Sequence, residues 1–195
     1  MCIRDRNADW ACEARRYYFN IVGKYGAPVQ TLLKKASALD IKTICPLHGP
    51  VLSDNLGYYL DLYNTWSSYQ PESKGVFIAY ASIHGNTAYA AEQFAEMLRN
   101  KGVDNVVITD LSRCDIAEAV EDAFRYDRMV LAAASYDAGV FPIMQDFLHH
   151  LQAKAFQNRT VGLIENGSWA PTAAKTMRNI LCLLYTSPSP RDRSL

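Results

Sequence analysis

The chain has 195 residues with 20 basic and 20 acidic side chains, a formal net charge of zero at neutral pH. That balance gives no electrostatic reason to bind nucleic acid or an acidic membrane surface. Nor does any apolar run approach the ~20 residues a membrane-crossing helix needs.

The two ends do not fit the sequence they adjoin. Met1-Cys2-Ile3-Arg4-Asp5-Arg6 and the stretch from Cys182-Leu183-Leu184-Tyr185-Thr186-Ser187-Pro188 to Arg191-Asp192 both match, in frame, translations of a transposon adapter used to prepare sequencing libraries. Segments of that kind are set aside before a fold is argued. The expectation is that 1–6 and 182–195 are adapter-derived and that the native reading covers 7–181, cut at both ends. Without Arg4, Arg6, Arg191 and Arg193 the basic residues fall from 20 to 16, and without Asp5 and Asp192 the acidic ones fall from 20 to 18. Cys12, Cys45 and Cys114 then remain, an odd set without paired spacing, which suits a reducing cytoplasm better than a disulfide scaffold.

From Asp9 to Tyr25, Trp10, Ala14, Tyr17, Tyr18, Ile21 and Val22 recur at helical steps. Gly26 can end that helix, and Pro28 suits the first turn of a second one with Val29, Leu32 and Leu33 as its buried stripe. Ile41 to Cys45 alternates like a short strand and runs into Pro46-Leu47-His48-Gly49-Pro50. Ser53 is placed to cap a third helix bearing Leu56, Tyr59, Leu60, Tyr63 and Trp66. Residues 67–75 are polar, hold Pro71 and Gly75, lack periodicity and read as a linker, with its core at 71–75.

Strands then alternate with helices. Val76 to Tyr80 is a continuous apolar run, as expected for a strand covered on both faces. Strands at 105–109, 128–133 and 160–164 alternate with helices at 87–101, 116–124, 142–151 and from Pro171 to Ile180. Regular alternation of this kind predicts a parallel, doubly wound α/β sheet.

In such sheets ligands sit beyond the carboxyl ends of the strands, where the strand order reverses. The first strand ends in Ser82-Ile83-His84-Gly85-Asn86-Thr87 and a helix follows at once. Gly85 permits a tight turn, Ser82 and Thr87 offer hydroxyls, and a helix start offers free N–H groups, so a phosphate can be held without a basic side chain. No Lys follows, so it is not a Walker loop, and the Gly-x-Gly-x-x-Gly dinucleotide pattern is absent. Two further loops, Ser135-Tyr136-Asp137-Ala138-Gly139 and Asn166-Gly167-Ser168-Trp169, leave strands three and four. Each pairs a turn-permitting residue with an aromatic ring able to cover a planar ligand or to serve in packing.

Residues 76–181 resemble the flavodoxin-like domain of flavodiiron proteins (A-type flavoproteins), and 7–70 the C-terminal part of the metallo-β-lactamase-like αββα domain that precedes it there. Ile44 to Pro50, Ala81 to Thr87 and Gly162 to Pro171 carry the resemblance. It implies a flavodoxin-like sheet truncated at its last strand and helix. It further implies FMN held by Ser82, Ile83, His84, Gly85, Asn86 and Thr87 at the phosphate, and by Ser135, Tyr136, Asp137, Ala138, Gly139, Asn166, Gly167, Ser168 and Trp169 at the ring. His84 stands where many simple flavodoxins have Thr. His48 matches the last histidine ligand of the non-haem diiron site, whose other ligands are expected upstream of this chain. In the family, FMN relays electrons from rubredoxin or a similar donor to the diiron centre, which reduces dioxygen to water or nitric oxide to nitrous oxide. The implied assembly is a cytoplasmic head-to-tail homodimer. The segment alone is expected to be inactive. The alternatives are a stand-alone flavodoxin-type electron carrier, a metallo-β-lactamase-class hydrolase with a fused binding module, and a flavin-free interaction domain.

Overall fold

The computed structural model of the chain describes residues 10–185. The expected adapter-derived stretch 1–6, Asp9, and residues 186–195 lie outside the described residues.

The N-terminal segment is helical and departs from the simple periodicity. Helix α1 (Trp10–Tyr17) passes into a π-helical turn (Tyr18–Val22) and a 3-10 turn (Gly23–Tyr25), then directly into α2 (Gly26–Ala36). The wider π turn shifts the phase of every later side chain. Tyr18 and Phe19 are therefore buried, while Tyr17 is 41 % and Ile21 61 % exposed. Asn20 holds the turn by donating to the carbonyls of Arg16 (2.8 Å) and Ala117 (3.1 Å). Gly26 opens α2 instead of ending a helix. A Cβ there would lie 2.4 Å from the Ser67 carbonyl and 2.7 Å from the Tyr69 ring, so the residue is fixed by close approach and not by chain termination. Leu32, expected in the buried stripe, faces outward.

Residues 41–45 are not a strand. A single antiparallel bridge joins Ile44 to Leu52 through two 2.9 Å hydrogen bonds. A lone pair of short segments does not make a sheet without further strands to pair with. Helix α3 (Leu56–Ser67) starts after Asn55, which is left-handed at φ 52°, and no side chain caps it. The Ser53 hydroxyl turns instead towards Asp54.

The expected linker is strand and anchor. Strand β1 begins at Ser73 and runs to Ala81. Just before it, Glu72 takes two hydrogen bonds from Arg15 (2.6 and 2.7 Å) and one from the Trp66 indole (2.8 Å). Arg15 also bonds Glu121 at 2.5 Å, with both side chains only 3 % exposed. Arg159 donates to the carbonyls of Tyr69 and Phe124.

After β1 come α4 (Asn86–Asn100), β2 (Val106–Asp110), α5 (Ile116–Arg125), β3 (Tyr126–Tyr136), the two-residue β4 (Gly139–Val140), α6 (Pro142–Ala153), β5 (Thr160–Asn166) and α7 (Ala173–Tyr185). The parallel strands lie in the order β2-β1-β3-β5, and β4 folds back antiparallel on the end of β3. Helix α4 covers one face, where Ala91 and Ala95 meet Val76, Ile78, Val130 and Ala132. The other face carries α5, α6 and α7 over Phe77, Met129 and Leu131. That core continues into the N-terminal segment, where Phe19 stacks on Phe124 at 4.1 Å and packs against Trp66. Each large apolar side chain buried here stabilises the fold by about 1.5–3 kcal/mol relative to exposure. Helix α7 continues to Tyr185, across the join expected at residue 182.

Candidate functional site

The order reverses between β1 and β3, because the chain leaves β1 for β2 on one side and returns to β3 on the other. The register pairs Ala81 with Ala133 and Ala134 with Asn166. The three expected loops therefore leave the sheet at one level and share one edge.

At the first loop the strand turns directly into α4. Gly85 precedes the helix in the left-handed region (φ 87°, ψ −17°) and donates its N–H to the Ser82 hydroxyl at 3.0 Å. A Cβ at Gly85 would meet nothing within 4 Å, so the glycine serves conformation and leaves open space. No side chain caps α4, and the N–H groups of a first helical turn have no intrahelical acceptor. The start of α4 is thus a set of outward amides at the positive end of a helix dipole. Thr87 is buried beneath it, while Ile83, His84 and Asn86 are exposed.

The second loop is a two-residue hairpin. Tyr136 pairs with Gly139, and Asp137 and Ala138 between them sit at φ 47° and 56°. Positive φ at both turn positions suits the strand twist but is unfavourable for side chains other than Gly, Asn or Asp. Tyr136 is 45 % exposed and lies edge-on to Phe141 at 5.9 Å. In the third loop Trp169 is 98 % exposed, which removes the packing reading for its indole.

The second and third loops are stitched together by the start of α7. The Ser135 hydroxyl oxygen accepts from the amides of Thr172 (2.8 Å) and Ala173 (3.2 Å), and the Thr172 hydroxyl donates to the Gly139 carbonyl (3.0 Å). Glu165 accepts from the Ala174 amide at 2.9 Å. A Cβ on Gly167 would lie 3.1 Å from the Ser135 hydroxyl. Sequence reasoning missed Thr172. Its signal was there, a hydroxyl residue just before a helix, but the hairpin it bonds could not be foreseen.

His48 lies apart, in the loop between α2 and α3. Its exposed ring rests on Tyr17 with centroids 5.3 Å apart. A Cβ at the adjacent Gly49 would come within 2.3 Å of the Trp10 ring. The imidazole borders an apolar concavity of about 630 Å³, lined among others by Trp10, Tyr17, Ile21, Ile44, Leu52 and Tyr63. Among the described residues no group of three or more His, Cys, Asp or Glu is placed to hold a metal ion. His149 and His150 lie on α6, with His150 3.7 Å from Asp146. No helix of the described residues is long and apolar enough to cross a membrane.

Residues 77–186, more than half of the chain, match the family described as a flavodoxin domain. Putative diflavin flavoprotein A 4 of Synechocystis is 27 % identical over 86 % of this chain and 28 % of its own length. Coenzyme F420H(2) oxidase of Methanothermobacter marburgensis is 27 % identical over 76 % of this chain and 37 % of its own length. The rubredoxin oxygen:oxidoreductase of Desulfovibrio gigas superposes with a TM-score of 0.80 over 93 % of this chain and 48 % of its own, at 20 % identity. The flavodiiron protein of Giardia intestinalis gives 0.80 over 86 % and 41 %, at 21 % identity. The chain thus spans roughly a third of these curated relatives and less than half of the solved structures. With the strand order, the three loops and the family match in agreement, the chain belongs to the flavodoxin-domain family, and it carries the α/β fold of the flavodiiron proteins across its N-terminal segment as well as its sheet.

Proposed function

We propose that the sheet segment holds FMN and relays electrons within a longer flavodiiron oxidoreductase, to which the segment ending near residue 70 contributes His48. The carrying observation is the sheet edge itself, where an uncapped helix start and a fully exposed indole stand on loops in register. A phosphate fits the α4 amides and the Ser82 hydroxyl, with Gly85 and Asn86 at the turn and Thr87 supporting it from below. A planar ring fits between Tyr136 and Trp169, with the backbone of Asp137, Ala138, Gly139, Asn166, Gly167 and Ser168 at its rim. Ile83 and His84 border the phosphate end. Bound FMN supplies the electron transfer; the chain supplies position, apolar cover and hydrogen bonds.

The described residues do not by themselves fit a metal centre, since no group of three or more His, Cys, Asp or Glu among them is placed to hold an ion. The proposed diiron reduction of dioxygen or nitric oxide, rubredoxin-type donor and head-to-tail dimer therefore belong to the longer protein. The relatives named coenzyme F420H(2) oxidase and rubredoxin oxygen:oxidoreductase support the oxidoreductase and rubredoxin parts of that reading. The stand-alone carrier is disfavoured by the joint. A separate extension would not share the Arg15–Glu72–Glu121 cluster and one continuous core with the sheet.

Titration of FMN and riboflavin against the chain, followed by quenching of flavin fluorescence, tests the reading. Saturable quenching with FMN bound at least tenfold more tightly supports a site with a phosphate end. If neither the chain nor a form extended to the length of its relatives quenches FMN, the assignment fails.

A further inference from the structure

The start of α7 is bonded differently from that of α4, and the difference assigns a role to a residue outside the three loops. At α7 the amides of Thr172, Ala173 and Ala174 all have side-chain acceptors, and these come from other elements: Ser135 at the end of β3 and Glu165 on β5. The Thr172 hydroxyl closes the ring by donating to the Gly139 carbonyl across the hairpin. Gly167 lies against Ser135, close enough that any side chain would push on that hydroxyl. One helix start thus fixes the hairpin that carries Tyr136 to the loop that carries Trp169. Since its amides are engaged, α7 does not compete with α4 for an anion.

We propose that Thr172, acting with Ser135, is a positioning residue that sets the spacing between the Tyr136 and Trp169 loops. The ring half of a bound flavin then depends on this pair, while the phosphate half depends on α4. The inference rests on the flavin reading above and adds a residue outside the three loops, Thr172, that governs it through Ser135. The physical ground is preorganisation: two loops held at the right separation before binding need not be ordered by the ligand. A hydrogen bond of this kind contributes on the order of 1 kcal/mol, which corresponds to roughly a fivefold change in affinity.

The experiment compares the unsubstituted chain with Thr172→Val, which keeps shape and removes the donor, and Thr172→Ser, which keeps the donor. Fluorescence titrations with FMN and with riboflavin are read beside hydrogen exchange of the amides at 172–174. Thr172→Val is expected to weaken FMN and riboflavin by the same factor, about fivefold, leaving their ratio unchanged. It should also speed exchange at 172–174, with Thr172→Ser restoring both. Unchanged flavin affinity in Thr172→Val, or a loss confined to FMN, overturns the positioning role. If the unsubstituted chain binds riboflavin and FMN equally, the phosphate reading fails while the ring spacing is still read from both ligands. If the chain binds neither, the same variants are read in a form extended to the length of its relatives; if that form also binds neither, the flavin reading fails and this inference with it.

Discussion

The sheet edge and the His48 loop are both open to solvent, yet they are held in different ways. Each loop at the sheet edge leaves a parallel strand in fixed register, and hydrogen bonds from α7 lock two of the three together. The His48 loop has one isolated bridge behind it and two aromatic rings beneath it. The chain's own backbone prepares the first site. The second is a single side chain whose place depends on how α1 sits against the rest of the molecule. The same chain therefore carries a sheet edge with three loops in register and a lone exposed imidazole on a separate loop, and the residues joining the two regions decide whether they behave as one unit.

The strongest way to break that unity is at Arg15. Its guanidinium, on α1, bonds Glu72 just before β1 and Glu121 on α5, so it joins three segments, and its removal strands two carboxylates with little access to water. Arg15→Ala is expected to cost about 3–5 kcal/mol, because an uncompensated buried charge is worse than no ion pair at all. Urea unfolding with an unchanged slope checks it. A loss below about 1 kcal/mol would mean that the segments are joined by the aromatic core alone.

Gly49→Ala separates the two sites. The backbone there is at φ 136°, and the added methyl would strike the Trp10 ring. A cost of about 1–3 kcal/mol is expected, typical of strain at such positions, together with a changed Trp10 emission. FMN affinity should not move. If it does, the His48 loop and the sheet edge are coupled more tightly than their packing indicates.

Trp169→Ala is the converse. The indole makes almost no contact that stability could lose, so the unfolding free energy should stay within about 0.5 kcal/mol. Flavin affinity should fall by roughly five- to tenfold, the worth of one aromatic stacking contact. Equal affinity in the variant would remove Trp169 from the site.

Much of this contrast was legible in the sequence, and the legible part has a common cause. Strand–helix alternation, the Gly85 turn and the glycine-containing loops are local patterns, and local patterns are what a single sequence exposes. The N-terminal segment was misread where a local rule met a tertiary contact. The π turn at Tyr18–Val22 rephased a helix that looked regular, and Gly26 was fixed by the Ser67 carbonyl instead of ending a helix. The polar stretch before β1 looked like a linker because its charge partner, Arg15, is 57 residues away. Thr172 was missed for the same reason, since its acceptor Gly139 lies on another element 33 residues back.

The smallest expected effect lies at the joint and concerns pH. Burial raises the Asp122 carboxyl above its ordinary value, Arg125 and Arg15 oppose the shift, and Glu118 adds to it. A carboxyl whose folded value exceeds its unfolded one binds its proton more tightly in the folded state. Its contribution to stability is thus fully present below the unfolded value, about pH 4, and is lost as pH rises through the folded value. Asp122→Asn mimics the protonated form at every pH. The variant and the unsubstituted chain should therefore be equally stable in acid, with the variant gaining as pH rises through the carboxylate range towards neutrality. Urea midpoints measured across that range check the sign. A gap that opens the other way, with the variant less stable at neutral pH, would show that Arg125 and Arg15 outweigh burial and that Asp122 is one more anion clamping the N-terminal segment to the sheet.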